Sequence, residues 1–260
     1  MTKAPYFFDT KEIPDFQSLV ACFSGKPLQS PYRSTVPLLS LVEHSHPNWN
    51  AFLAACGAPQ NCALHFEFRV ASPKPNGNPS QTDLLLMSNS AVWAVEAKWT
   101  EPRYEKVSER LSKTEPDGAD PRGTLNGWLQ HLQPFATCPL KIESFSGIVY
   151  QVLHRAASVC AVATSRRLRP ELVYLHFCPS PLQSTATTAQ YESDLADLHV
   201  LLGSPAGFTF RVVELPLEPT AAFESMKSAD KHSGATSARV AGALCHGPLF
   251  TFGALTSKRI

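Results

Sequence analysis

The segment from Thr82 to Trp99 limits the fold more than any other stretch of the chain. It holds two apolar runs, Leu84-Leu85-Leu86-Met87 and Ala91-Val92-Trp93-Ala94-Val95, separated by Ser88-Asn89-Ser90. Runs this short, rich in β-formers and bounded by turn residues, read as two strands joined by a tight connection. Upstream, Leu64, Phe66, Phe68 and Val70 alternate with His65, Glu67 and Arg69, which predicts a third strand with its apolar set on one face. SPKPNGNPSQ at 72–81 lies between them as turn or loop. Short links between three strands favour an antiparallel meander.

Helical periodicity flanks this meander. Residues 36–56 read as two helical pieces, broken at His46-Pro47 and stopped by Gly57. Residues 1–35 are mixed, with one short helix near 16–23. Residues 101–118 are charged and helical or loop-like, and 124–135 read as a helix. The most legible helix is 147–160: Val149, Val152, Leu153, Ala156 and Cys160 share one face, and Gln151, His154, Arg155 and Ser158 another. Strands at 172–177 and 208–217 enclose a helix at 189–202, and the small, polar stretch 225–237 reads as loop or locally disordered. No repeat or internal boundary is visible. The expectation is a single α/β domain over 1–260, with a mixed central sheet flanked by helices.

Composition narrows the class. A chain of 260 residues with 43% hydrophobic content can bury a sizeable core. It has no apolar run of about 18 residues, the length a membrane span needs. MTKAPYFFDTKEIPDF lacks the apolar stretch of a secretory signal. A soluble, cytoplasmic protein with no membrane partner is expected. None of the seven cysteines forms a CxxC pair, so they read as buried thiols rather than a zinc site. The net charge of +1 means that binding to nucleic acid would depend on local clusters. Lys98, Arg103, Lys106, Arg110 and Lys113 form one, and Arg166, Arg167 and Arg169 another; either also reads as ordinary solvated surface. Walker A, dinucleotide-binding and GxSxG motifs do not occur.

Chemistry concentrates in the meander. Asp83 opens a strand that continues Leu-Leu-Leu-Met, and Glu96 follows Val-Trp-Ala-Val. An ionised carboxylate in such company is costly unless it is paired or bound to a metal. Glu96 and Lys98 are two apart and project from the same face of a strand, and a tight turn can bring Asp83 beside them. Two carboxylates and a backbone carbonyl suit Mg²⁺ or Mn²⁺. A lysine beside such an ion can position or deprotonate water, or offset charge on a phosphate. The bland alternative is a surface salt bridge between Glu96 and Lys98.

TDLLLMSNSAVWAVEAKWTEP resembles the core motif of the PD-(D/E)XK nuclease superfamily, the restriction-endonuclease-like proteins. Asp83 matches the motif's Asp, with Thr82 where the named pattern has Pro, and Glu96-Ala97-Lys98 matches its (D/E)xK element. The resemblance covers about 36–178 in element order, helix, meander, helix, strand, and is specific over about 80–102. It implies an insertion at about 103–145 and a C-terminal extension at about 179–260. It further implies divalent-metal hydrolysis of phosphodiester bonds in nucleic acid, with DNA the expected substrate. Asp83, Glu96 and the Ala97 carbonyl would be metal ligands and Lys98 the catalytic lysine. Members often add a glutamate from the first helix, for which Glu43 is the positional match and Glu67 the competitor. A polar residue from the following helix corresponds to Gln151, with Arg155 and Arg103 as phosphate contacts. Homodimerisation is left open, as is a catalytically inactive member that binds nucleic acid or a protein partner.

The remaining signals favour structural roles. His44 and His46 read as capping or surface residues, His65 as structural, and Trp93 as core. Trp99 faces away from Lys98 by alternation.

Overall fold

The computed structural model describes residues 4–74, 77–113, 120–182, 185–226 and 234–260. A hairpin of β1 (Tyr6–Phe8) and β2 (Lys11–Ile13) precedes helices α1 (Phe16–Cys22), α2 (Thr35–His44) and α3 (His46–Cys56). The meander follows as β3 (Ala63–Val70), β4 (Ser80–Met87) and β5 (Ala91–Lys98). Helices α4 (Val107–Ser112), α5 (Pro121–Leu132) and α6 (Tyr150–Arg166) lead to β6 (Arg169–Cys178). The chain ends with α7 (Thr188–Leu201), β7 (Thr209–Pro219), α8 (Ala221–Met226), α9 (Gly234–His246), β8 (Phe250–Phe252) and β9 (Thr256–Arg259).

The strands form one sheet in the order β2-β1-β3-β4-β5-β6-β7-β8, with β9 also pairing β7. β3, β4 and β5 are antiparallel, as the short connections require, whereas β5, β6 and β7 run parallel through helical crossovers. The class is therefore α/β, with a mixed central sheet flanked by helices. Apolar residues of α1, α2, α3, α8 and α9 cover one face, together with Leu84, Leu86, Trp93 and Val95. Those of α4, α5, α6 and α7 cover the other, with Leu85, Val92 and Ala94. The segments at 103–145 and 179–260 thus supply helices and strands to the same layers as 36–178. Among the described residues no helix is long and apolar enough to cross a membrane.

Local chemistry sets several boundaries. Asp15 caps α1 by accepting from the Ser18 amide at 2.7 Å, and Gly57 ends α3 in the left-handed region at φ 67°. In the β4–β5 turn, the Ser88 hydroxyl accepts from the Ala91 amide at 3.1 Å.

The structure departs from the sequence reading in five places. Residues 6–13 form a hairpin that mixed composition hid. α6 begins at Tyr150 because Val149 is extended and bridges Lys106, and it runs on to Arg167, which caps it at φ 57°. Of the stretch 225–237, residues 225–226 end α8 and 234–237 begin α9, while 227–233 lie outside the described residues, as do 75–76 of the 72–81 loop and 114–119 of the charged stretch. Cys22 and Cys245 are exposed, while Cys56, Cys62 and Cys160 are buried.

The fifth departure concerns β3. Leu64 and Phe66 pack on the first face, but Phe68 packs on the second. Alternation breaks at Glu67, whose φ of 52° is left-handed and strained for a residue with a Cβ. The β1–β2 turn accommodates the inversion: the Asp9 amide donates to the Phe66 carbonyl at 2.7 Å, and the Asp9 carboxylate accepts from the Arg69 amide at 3.1 Å.

Candidate active site

Strand register brings the acidic residues into one row. Phe66 lies opposite Leu84 and Phe68 opposite Thr82, so Glu67 faces Asp83 across β3 and β4. Leu84 pairs with Val95, which places Asp83 beside Glu96, and Glu96 pairs with Tyr174 of β6. The β4–β5 ladder stops at Leu84–Val95. Beyond it the Asp83 carboxylate replaces the lost backbone acceptor, taking the Ala97 amide at 2.8 Å. The sheet opens between β4 and β5 beyond that pair, while β3–β4 and β5–β6 pairing continues, and the site occupies that opening.

Glu96 is the hub. Its Oε1 accepts from Lys98 Nζ at 2.9 Å and from Gln151 Nε2 at 2.8 Å, and its Oε2 accepts from Arg155 Nε at 2.7 Å. Arg155 Nη1 also donates to Ser80 Oγ at 2.8 Å. Glu96 and Lys98 are only 2% and 3% exposed, which rules out the surface salt bridge. Gln151 is 7% exposed, so the polar stripe of α6 is an internal contact and not a wet face. Arg155, expected at a phosphate, clamps Glu96 through its Nε and Ser80 through its Nη1.

Charges in this enclosure divide unequally. Burial raises the Asp83 carboxyl well above the usual carboxylate range, and the neighbouring Glu96 raises it further. Burial opposes ionisation of Glu96 too, but Arg155 and Lys98 outweigh it and hold that carboxyl below its ordinary value. Burial alone would depress Lys98, but Glu96 and Asp83 hold it above the usual lysine range. Glu67, half-buried and bonded to Gln81, is raised by burial and by Glu96. Asp83 is thus the carboxylate that takes up a proton most readily, and Lys98 stays an ammonium.

The structure separates the two glutamates that competed for the site. Glu43 sits on α2, which packs on the opposite face of the sheet, and accepts from the Tyr6 hydroxyl at 2.8 Å. Its side chain is not part of the Asp83–Glu96 cluster, which corrects the expected metal-ligand role. Glu67 is the third carboxylate of the row.

A cleft beside Lys98 leads outward past Gln151, Tyr174, Arg103 and Tyr104. Arg103 Nε donates to Asp194 at 3.1 Å, so part of its donor capacity is already used. Tyr104 is 50% exposed, and its ring centroid lies 5.1 Å from Lys98 Nζ. Lys113 and Arg110 both pair with Glu105, one carboxylate shared by two cations of the first basic series. The next polar row along the sheet holds Lys98, His176 and Glu214 in register, with the Thr188 hydroxyl joining His176 to Glu214. Sequence reasoning passed over Tyr174 and His176, although polar residues recurring at two-residue spacing inside an apolar strand are the signal that marks them.

The bland readings of other residues hold. The Trp93 indole donates to the Cys56 carbonyl at 3.0 Å within the core, and Trp99 is buried on the face away from Lys98. His44 contacts the Leu244 carbonyl, and His65 stacks on Phe7 with ring centroids 4.3 Å apart. Among the described residues no group of three or more His, Cys, Asp or Glu side chains is placed to hold a metal ion.

The model of a family described as a domain of unknown function, DUF6946, matches residues 10–210. The chain belongs to the DUF6946 family. The matched span contains Glu67, Asp83, Glu96, Lys98, Gln151, Arg155 and Tyr174, while α8, α9, β8 and β9 lie beyond it. No curated protein and no solved structure matches the chain.

Proposed function

We propose that this chain hydrolyses phosphodiester bonds in nucleic acid, with DNA as substrate, on a restriction-endonuclease-like core of the PD-(D/E)XK type. The observation that carries this reading is the convergence of Asp83, Glu96 and Lys98 at the opening between β4 and β5, with Gln151 of α6 on the same carboxylate.

A divalent cation, Mg²⁺ or Mn²⁺, fits the donor set on electrostatic grounds. Asp83 is raised by burial and by Glu96, an excess of negative charge that a cation would relieve. Asp83, Glu96 and the Ala97 carbonyl would hold it, and water would complete the shell, as it commonly does for Mg²⁺. When bound, such an ion supplies a nucleophilic water at neutral pH and offsets phosphate charge.

The chain's own residues divide the remaining work. Lys98, held as an ammonium by Glu96 and Asp83, would stabilise negative charge on phosphate oxygens. Gln151 and Arg155 fix both oxygens of Glu96, which orients that carboxylate before substrate arrives. Glu67 adds charge to the row and, by its left-handed backbone, turns Phe68 under the site.

Purified protein with Mg²⁺ or Mn²⁺ is expected to cleave nucleic acid that Lys98→Ala and Asp83→Asn leave intact. No cleavage beyond those two variants overturns the reading. One observation favours a second reading, a non-cutting member of the same fold that binds nucleic acid or a protein partner: Arg155 already neutralises Glu96. Calorimetry separates them, since the second reading requires that Mg²⁺ or Mn²⁺ does not bind at Asp83.

A further inference from the structure

We infer that Arg169, Arg211 and Arg259, flanked by Arg166 and Arg167, form a second contact surface that holds backbone phosphates of nucleic acid. It shares with the hydrolytic reading only the class of partner, and it needs neither a cation nor turnover.

The five arginines come together at one end of the sheet. Arg166 and Arg167 end α6, Arg169 opens β6, Arg211 lies on β7 and Arg259 on β9. Arg211 is half-buried and the other four are exposed. Arg169 pairs with Ala91 and His176 with Lys98, so about 23 Å of extended strand separates this end from the candidate active site.

Charge here is poorly balanced. Arg211 and Arg259 stand directly opposite each other in the antiparallel β7–β9 ladder, an arrangement that is destabilising for like charges. Each is held by a hydroxyl: Arg211 Nη1 donates to Ser257 Oγ at 3.2 Å, and Arg259 Nη2 to Thr209 Oγ1 at 3.2 Å. Glu171 is the carboxylate among them, 4% exposed, and Arg169 Nη2 takes its Oε1 at 3.0 Å. Its Oε2 and the Nε of Arg211 are buried without a partner among the described residues, so these two groups have not closed on each other. Burial holds the Glu171 carboxyl above its ordinary range, although Arg169, Arg211 and Arg259 all act to lower it. Glu192 of α7 is taken by Lys258. One reluctant carboxylate thus faces three guanidiniums.

An anion laid across Arg211 and Arg259 would relieve their opposition, and Arg169 and Arg259 present donors to it at the surface. Guanidinium forks match phosphate oxygens bidentately. The row runs from the end of α6 across β6 and β7 to β9, with neighbouring strands about 4.8 Å apart, which suits a chain of phosphates better than a single ion. A protein partner would need an apolar anchor. The exposed large hydrophobic residues, Tyr104, Leu182 and Val200, all lie off α6, β6, β7 and β9.

The test is fluorescence anisotropy of a short labelled DNA duplex with the full chain in EDTA, over a series of salt concentrations. Wild type is expected to bind with an affinity that falls as salt rises. Arg259→Gln is expected to reduce the salt slope by about 0.9 and to weaken binding about eightfold at about 0.1 M salt, the loss of one phosphate contact. It is also expected to melt no lower than wild type, since it removes one of two opposed charges. Arg259→Lys is expected to keep the slope and recover part of the affinity, as a cation without the fork. The effect of Arg259→Gln is expected to be the same in a Lys98→Ala background, because the two sites are far apart. No duplex binding by wild type, or a salt slope that Arg259→Gln leaves unchanged, would overturn the inference. So would displacement of the duplex by inorganic phosphate or polyglutamate at a lower charge concentration than by unlabelled duplex, which would assign the surface to a small anion or an acidic protein segment. Failure of hydrolysis is read separately, by comparing wild type with Asp83→Asn in the presence of Mg²⁺.

Discussion

Arg155 and Glu96 form a buried ion pair, Nε to Oε2 at 2.7 Å, that ties α6 to the sheet at the candidate site. The same guanidinium reaches Ser80 Oγ at 2.8 Å, so one side chain spans β4 and β5 at the point where their ladder has ended. Breaking such a pair leaves a charge without its compensation. Arg155→Met is expected to cost on the order of 3 kcal/mol, read as a lower urea midpoint. Arg155→Lys is expected to recover only part of it, because a single ammonium lacks the fork that reaches both partners.

Asp83→Asn separates stability from function. The folded state raises the Asp83 carboxyl, chiefly through burial and then through Glu96. Folded Asp83 therefore holds its proton more tightly than the unfolded chain does. Its contribution is present below the ordinary carboxylate range and is lost as pH rises through the raised value. Asparagine does not ionise and still offers an oxygen to the Ala97 amide. In metal-free buffer, Asp83→Asn is expected to melt higher than wild type, by a margin that widens as pH rises above the ordinary carboxylate range. With Mg²⁺ added, wild type is expected to gain melting temperature and the variant not.

The two glutamates are expected to answer differently. Glu43→Gln is expected to leave cleavage within about twofold of wild type, since Glu43 lies across the sheet from Asp83. Glu67→Gly removes both a carboxylate of the row and the Cβ that strains the left-handed backbone there. It is expected to stabilise the protein by roughly 1 kcal/mol in urea titration while lowering the cleavage rate. A Glu67→Gly variant that is both less stable and fully active would show that the inversion serves neither strain nor site.

His154 makes the fold sensitive to acid. Burial, reinforced by Arg155, pushes its imidazole down to about 3. It packs against Tyr150 and Trp128, with centroids 5.6 and 5.3 Å away. The unfolded chain binds this proton first, so stability falls as pH drops below about 6.5, by up to about 1.4 kcal/mol per pH unit. His154→Phe keeps the ring contacts and is expected to flatten the acid limb of a stability-against-pH curve. An unchanged limb would mean that other groups govern acid unfolding.

Some of this was legible in the amino-acid sequence, for reasons that lie within single elements. Tight turns and two-residue alternation determined that Glu96 and Lys98 share a face and that Asp83 comes beside them, because neighbouring strands joined by three residues have almost no other way to pair. The α/β class follows from the same local signals, as does the placement of Trp99 away from Lys98. Tertiary structure alone decided the rest. Periodicity tells how a helix is amphipathic but not which face of a sheet it covers, so Glu43 could be misplaced while Glu67 was in reach. Alternation assumes an unbroken strand, so it could not foresee that the left-handed turn at Glu67 carries Phe68 to the other side. Arg155 and Tyr174 show the same limit. Whether a polar side chain meets water, a carboxylate or nothing depends on which distant strands and helices close around it, and that is settled only when the layers pack.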